Sequence, residues 1–99
     1  MRPSRTGGSV PFASSAGSPP SAPTISQPDG YGGDINASTV SGATLYNFYS
    51  SNTSGSGYTL DQSSASQTIS FDSIANRYVI CRAANSFGES PNSNQIDTG

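Results

Sequence analysis

The 99-residue chain contains no His, no Lys and no Trp, and only one Glu and one Cys. Without an imidazole or a lysine amine, histidine acid–base catalysis, Schiff-base chemistry and His/Cys zinc ligation are all excluded. Cys81 has no second cysteine to pair with, so no internal disulfide forms. Long apolar runs are missing too. None approaches the roughly 20 residues a membrane helix needs, and Arg2 and Arg5 are followed by Ser, Gly and Pro instead of the hydrophobic run of a secretory signal. The expectation is a soluble product made in the cytosol. Charge is equally scarce, with four Arg against six acids, and so few cations do not form the dense basic patch of a nucleic-acid-binding surface.

Small and turn-forming residues fill that space: 21 Ser, 11 Gly, 8 Thr, 7 Asn and 7 Pro. This length holds one small domain. Leu, Ile, Val and Phe number only 15, which points toward disorder, while the net charge of −2 points away from it. Five Tyr and four Phe decide the matter. Aromatic side chains bury large areas each, so a small folded core is within reach.

Residues 1 to 22 hold four Pro, three Gly and, as bulky apolar residues, only Val10 and Phe12. Proline at 3, 11, 19 and 20 interrupts helices and denies ladder hydrogen bonds, so this stretch is predicted to be an extended N-terminal arm. Stretched out, it spans up to about 70 Å at roughly 3.3 Å per residue. From residue 23 to 99 the pattern changes to short apolar or β-branched runs separated by turn clusters, the mark of an all-β sandwich or barrel. Strands are predicted at Thr24 to Gln27, Asp34 to Ser41, Ala43 to Ser50, Tyr58 to Leu60, Gln67 to Phe71, Arg77 to Asn85 and Ser93 to Asp97. Turns are predicted at Pro28 to Gly33, Ser51 to Gly57 and Ser86 to Asn92. Which set of alternating residues in the second strand faces inward stays open. About seven strands in some 75 residues fit an immunoglobulin-type antiparallel sandwich.

The segment Cys81-Arg-Ala83-Ala-Asn85-Ser-Phe-Gly88 resembles the F strand and F–G turn of immunoglobulin-like domains, whose pattern is Cys-x-Ala-x-Asn-x-x-Gly. Cys81 and Ala83 stand two apart and share a face, Asn85 suits a strand end, and Gly88 suits a turn with positive φ. Thr39 to Gly42 resembles the end of a B strand and Leu45 to Tyr49 a C strand. Fibronectin type III modules are similar as well, through a Tyr opening this strand and a Ser-x-x-Ser after the glycine, here Ser90 and Ser93. Two departures stand out: Ser38 sits where the B-strand cysteine is expected, and Phe48 where the core Trp is expected. The absent disulfide suits folding in a reducing cytosol. The resemblance implies a stripped Ig-like module of the kind carried by tailed-bacteriophage virions, including head decoration or cement proteins.

Candidate sites follow from these features. Arg2 and Arg5 are suited to fork onto partner carboxylates, and Val10 and Phe12 to fill small apolar grooves, so the arm is the expected docking element for a major capsid protein or another virion protein. Tyr31, Tyr58 and Phe87 lie in or beside Ser/Gly/Asn-rich turns, the composition of binding loops. They are the candidates for the alternative, a carbohydrate-binding or adhesion module recognising host-surface glycans. Cys81, in the most hydrophobic strand, is expected to be inert packing. Asp29, Asp34 and the turn between them lack the dense acidic spacing of a Ca²⁺ loop. Asp61, Asp72, Glu89 and Asp97 form no recognisable acid pair. Asn36-Ala-Ser38 and Asn52-Thr-Ser54 match the glycosylation pattern by chance when no secretory signal precedes them. No catalytic residue, cofactor, metal, nucleic acid or membrane is expected. The localisation implied is the virion, assembled in the host cytoplasm.

Overall fold

The computed structural model describes residues 17–30 and 32–99. The predicted docking residues Arg2, Arg5, Val10 and Phe12, and the loop residue Tyr31, lie outside the described residues. Two antiparallel sheets pack as a sandwich. The smaller sheet has the order β1–β2–β5, from β1 (Ile25–Ser26), β2 (Ile35–Ala37) and β5 (Thr68–Ile69). The larger has the order β4–β3–β6–β7, from β3 (Leu45–Ser51), β4 (Thr59–Ser64), β6 (Tyr78–Asn85) and β7 (Gly88–Glu89), with β8 (Ile96–Asp97) also paired to β6.

The pairing of β3 with β6 is the longest, running from Leu45 opposite Ala84 to Ser51 opposite Tyr78. β3 alternates up to Ser50, whereas β6 is buried on both faces over much of its length, with Ile80 at 1% and Ala84 at 7% exposed on its outer side. Tyr46, Phe48 and Ser50 of β3 and Val79, Cys81 and Ala83 of β6 are buried on the inner face, while Asn47, Tyr49 and Arg82 face outward and stay half-buried. Phe48 lies directly opposite Cys81, and both are 0% exposed. From the other sheet Ile25, Ile35, Ala37 and Ile69 close the same core. The buried Tyr46 keeps its hydroxyl satisfied by accepting from Val40 N at 3.0 Å, as a phenol taken from water must.

Polar side chains repair the ladder where the backbone cannot. Pro91 has no N–H to offer, and it falls between β7 and β8. Beside it Ser90 Oγ accepts from Ala83 N at 2.9 Å and Ser93 Oγ from Cys81 N at 2.8 Å, each hydroxyl then donating to the carbonyl of the residue that follows it. The Asn94 carboxamide acts as a surrogate strand residue: its Oδ1 accepts from Ile25 N at 2.8 Å and its Nδ2 donates to Ile25 O at 2.9 Å. That amide joins the first strand to the last.

Several expectations are corrected. The second strand ends at Ala37, because beyond it Ser38 N donates to Thr24 O while the Gln67 amide takes up Ala37 O. Its inward set is Ile35 and Ala37. Ser38, expected at the cysteine position, is exposed, and its hydroxyl accepts from Thr24 N. Asp61 to Ser64, which lie between two predicted strands, belong to β4, where pairing with β3 overrides a weak strand propensity. A register shift opposite Phe48 and Tyr49 leaves Asp61 as the extra residue. The strand predicted to run to Phe71 stops at Ile69, and Phe71–Ser73 forms a 3₁₀ turn whose N-cap Ser70 accepts from Asp72 N at 3.2 Å. β7 begins at Gly88, inside the turn predicted at Ser86 to Asn92, and β8 takes up only Ile96–Asp97 of the strand predicted at Ser93 to Asp97. Residues 17 to 22, predicted as part of the arm, lie on the domain, with Pro20 and Pro23 buried.

Truncating Phe48 to Ala is expected to cost about 3–5 kcal/mol, a large share of the roughly 5–15 kcal/mol a domain has. Ser93→Ala, which orphans the buried Cys81 N–H, is expected to cost about 1–3 kcal/mol. Urea unfolding followed by tyrosine fluorescence measures both, and a Ser93→Ala midpoint equal to wild type would show that the hydroxyl is dispensable.

Candidate functional site

The strands run between two ends of unlike chemistry. One end gathers residues 17 to 24, the turn from Ser38 to Thr44, the 65–67 connection and the Ser86–Phe87 turn. The other gathers the 27–34 turn, the 51–58 hairpin and the 70–77 segment. At the first end, Asn85 closes β6 and ties three segments together. Its Nδ2 donates to Ser18 O at 2.9 Å and to Gly42 O at 3.3 Å, and its Oδ1 accepts from Phe87 N at 2.8 Å. Phe87 is 56% exposed, with its ring edge seated against Gly17. A Cβ at Gly17 would lie 2.1 Å from ring carbon Cε2, so any larger residue there requires the exposed Phe87 ring to shift. Gly88 has φ 138°, a conformation other residues rarely adopt, and faces Pro19. Between Pro19, Pro20, Ser41, Gly42, Thr44 and Phe87 lies an open cleft of about 590 Å³.

The outer face of the larger sheet carries a second polar arrangement. Glu89 accepts through Oε2 from Asn47 Nδ2 at 2.7 Å and from the Tyr49 hydroxyl, and through Oε1 from Arg82 at 3.2 Å. The Arg82 guanidinium stands 4.7 Å from the Tyr49 ring centroid and donates to Asn92. Partial burial pushes the Glu89 carboxyl up, but hydrogen bonds from Tyr49, Asn47 and Arg82, with the charge of Arg82, outweigh it and hold the group below its ordinary range. Burial pushes the Tyr49 phenol up, and the hydrogen bond to Glu89 and its negative charge add to this against the opposing pull of Arg82. The network pairs its acid with its base and leaves Asn47 Oδ1 buried without a hydrogen-bond partner. It fixes the strand edge instead of presenting an unpaired acid or base.

Of the predicted loop residues, Tyr58 and Phe87 lie at opposite ends of the sandwich. Tyr58 is half-buried, and its hydroxyl donates to Gln95 Oε1 and accepts from Gly55 N. These two aromatics therefore do not form one platform. Gly30 and Gly33 shape a plain turn between Asp29 and Asp34 through bonds to Gln27 O and Gly30 O. Among the described residues no three of His, Cys, Asp and Glu come close enough to hold a metal, and no helix is long and apolar enough to cross a membrane. Two features escaped the sequence: the Glu89 network, which depends on a register between β3, β6 and β7, and the exposure of Leu45, 40% open at the head of β3. The alternation in Leu45 to Ser50 carried a signal for the second.

Comparisons with protein-family models, curated proteins and solved structures find no match.

Burial pushes the Cys81 thiol up to about 12, so native protein is expected to leave a thiol reagent unreacted at pH 8 and to release one equivalent on unfolding. Rapid labelling of the folded chain would contradict the burial of this strand. Asp97 is drawn down to about 2 from an ordinary 3.8, chiefly by hydrogen bonding from Arg77, then by Gly99 N and the Arg77 charge. For a carboxylate with a lowered folded pKa, the stabilisation is present above the unfolded value and is lost as pH falls toward the folded one. Urea midpoints are thus expected to drop between pH 4 and 2, and Asp97→Asn with Glu89→Gln should flatten that slope.

Proposed function

We propose that the chain is a non-enzymatic structural protein of a tailed-bacteriophage virion, decorating or cementing the head by docking residues 1 to 16 on the major capsid protein or another virion protein. The observation that carries this reading is the division of charge. Residues 1 to 22 hold Arg2 and Arg5 and no acid, a charge of +2, while residues 23 to 99 hold two Arg and six acids, a charge of −4. A cationic leader on an anionic head favours partners of opposite sign at the leader and keeps like domains apart. An Ig-like module whose core closes without a disulfide suits assembly in a reducing host cytoplasm. Copies repeated on a shell would add weak leader contacts into high avidity.

The test is mass spectrometry of purified particles, comparing the full chain with a version lacking residues 1 to 16. Deletion stops short of Gly17 because residues 17 to 22 belong to the domain surface. The full chain is expected at a fixed ratio to the major shell protein, and the shortened chain at a tenth of that or less. Equal incorporation of both, or binding of the shortened chain to host glycans in place of particles, would overturn the reading.

A further inference from the structure

The outward N–H and C=O groups of a sheet edge form a template for another strand unless the chain guards them. Three of the four edges here are short, with side chains bonding the backbone along them. At β1 the Asn94 carboxamide occupies both Ile25 N and Ile25 O. At β5 Ser66 Oγ accepts from Thr68 N at 3.2 Å and donates to Thr68 O at 3.1 Å. β7 and β8 are two residues each, and in the gap between them Ser90 and Ser93 take up Ala83 N and Cys81 N.

The fourth edge, β4, is different. It runs six residues with no Pro, Lys or Arg among them, and among the described residues only β3 bonds to its backbone. Its guards are a bulge and the single charge of Asp61 at that bulge, and Asp61 Oδ2 is engaged within the same chain, accepting from Ala75 N at 3.3 Å. Its one large apolar residue, Leu60, stands opposite Tyr49 on the outer face and is 53% exposed. An open ladder with an apolar side chain beside it fits an extended strand that carries an apolar residue at the facing position.

We infer that β4 is a self-pairing edge: it joins antiparallel to β4 of a second copy of this chain, across a two-fold axis at Leu60. In that register Leu60 faces Leu60 of the second copy and Thr59 faces Asp61, so the apolar residues meet and the two carboxylates do not stand opposite each other. Residues directly opposite in an antiparallel pair share a face, which places both leucines on the outer face, each beside its own Tyr49. The contact is isologous, and with the other edges short and bonded by side chains it closes at two copies instead of growing into a filament. Six residues a side fall short of the roughly 1,000 Å² of a stable interface, and each copy carries a net charge of −2. The dimer is therefore weak, with a dissociation constant on the order of 0.1–1 mM, and salt strengthens it by screening that repulsion. The inference does not depend on the function proposed above.

Sedimentation equilibrium of the full chain, at concentrations up to about 2 mM and at low and high salt, tests this. A monomer–dimer equilibrium is expected that tightens with salt. Leu60→Lys sets two ammonium groups against each other and is expected to weaken the dimer about tenfold or more, with an unchanged melting temperature because the side chain is exposed. A second variant, Leu60→Cys, reads the register directly: facing Cα atoms of an antiparallel pair lie about 4.5–5.5 Å apart, within the range of a disulfide. With copper–phenanthroline in air it is expected to form a disulfide-linked dimer at least tenfold faster than Ser73→Cys, a change at an exposed position outside β4, while the buried Cys81 stays reduced. A wild type that remains monomeric throughout, equal dimerisation by Leu60→Lys, or equal crosslinking from positions 60 and 73 would overturn the inference. So would association that salt weakens, since attraction between unlike charges on two copies behaves that way and edge pairing does not.

Discussion

The structure depends on one contact, the antiparallel union of β3 and β6 with Phe48 facing Cys81. Every other element is recruited to that pair: β4 along one edge, β7 and β8 along the other, and the smaller sheet across the inner face. In a chain with few aliphatic residues, the core must be concentrated, and concentrating it on two long strands lets a handful of side chains exclude water completely. Ile35, Val79, Cys81 and Ala83 show no exposure at all. The lone thiol belongs to this economy. It fills volume as a small hydrophobe, and its high pKa follows from the same exclusion of water.

Around this centre, hydroxyls and amides do much of the work that hydrophobic burial does in larger domains. Ser90, Ser93 and Asn94 each complete a bond that the irregular last strand leaves open. Such side-chain-to-backbone bonds compete with regular ladders in most settings. Here they extend one. An abundance of Ser and Asn that resembles a linker composition is therefore compatible with a well-connected fold, because buried N–H groups find partners without requiring a continuous strand.

Much of this was legible in the residues. The alternation in Leu45 to Ser50 and in Arg77 to Asn85 identified the two central strands, and the spacing of Cys81, Ala83, Asn85 and Gly88 identified the turn that follows them. The dependence of Asn85 on neighbours distant in sequence was only partly visible: its local bond to Phe87 N follows from turn chemistry, whereas its bonds to Ser18 and Gly42 require the assembled end. Asp61 to Ser64 illegibly form strand, since a polar edge strand owes its conformation to its partner more than to itself. Proline content alone placed residues 17 to 22 in the arm, and it was blind to the packing that Phe87 and Asn85 provide. Ser38 was misplaced because the B-strand pattern assumes a longer second strand than the chain makes.

The carboxamide clamp between Ile25 and Asn94 also governs how the molecule bears load. It connects the strand that follows the leader to the strand that precedes Gly99, and these two run toward the same far end of the sandwich. Tension applied between Gly17 and Gly99 would pull along the strands and load this clamp, so its paired hydrogen bonds would be sheared together and not peeled apart one at a time. Resistance to such pulling is set by the rate of unfolding and not by equilibrium stability. In a domain that has no disulfide, such a load would fall on the side chain of one asparagine.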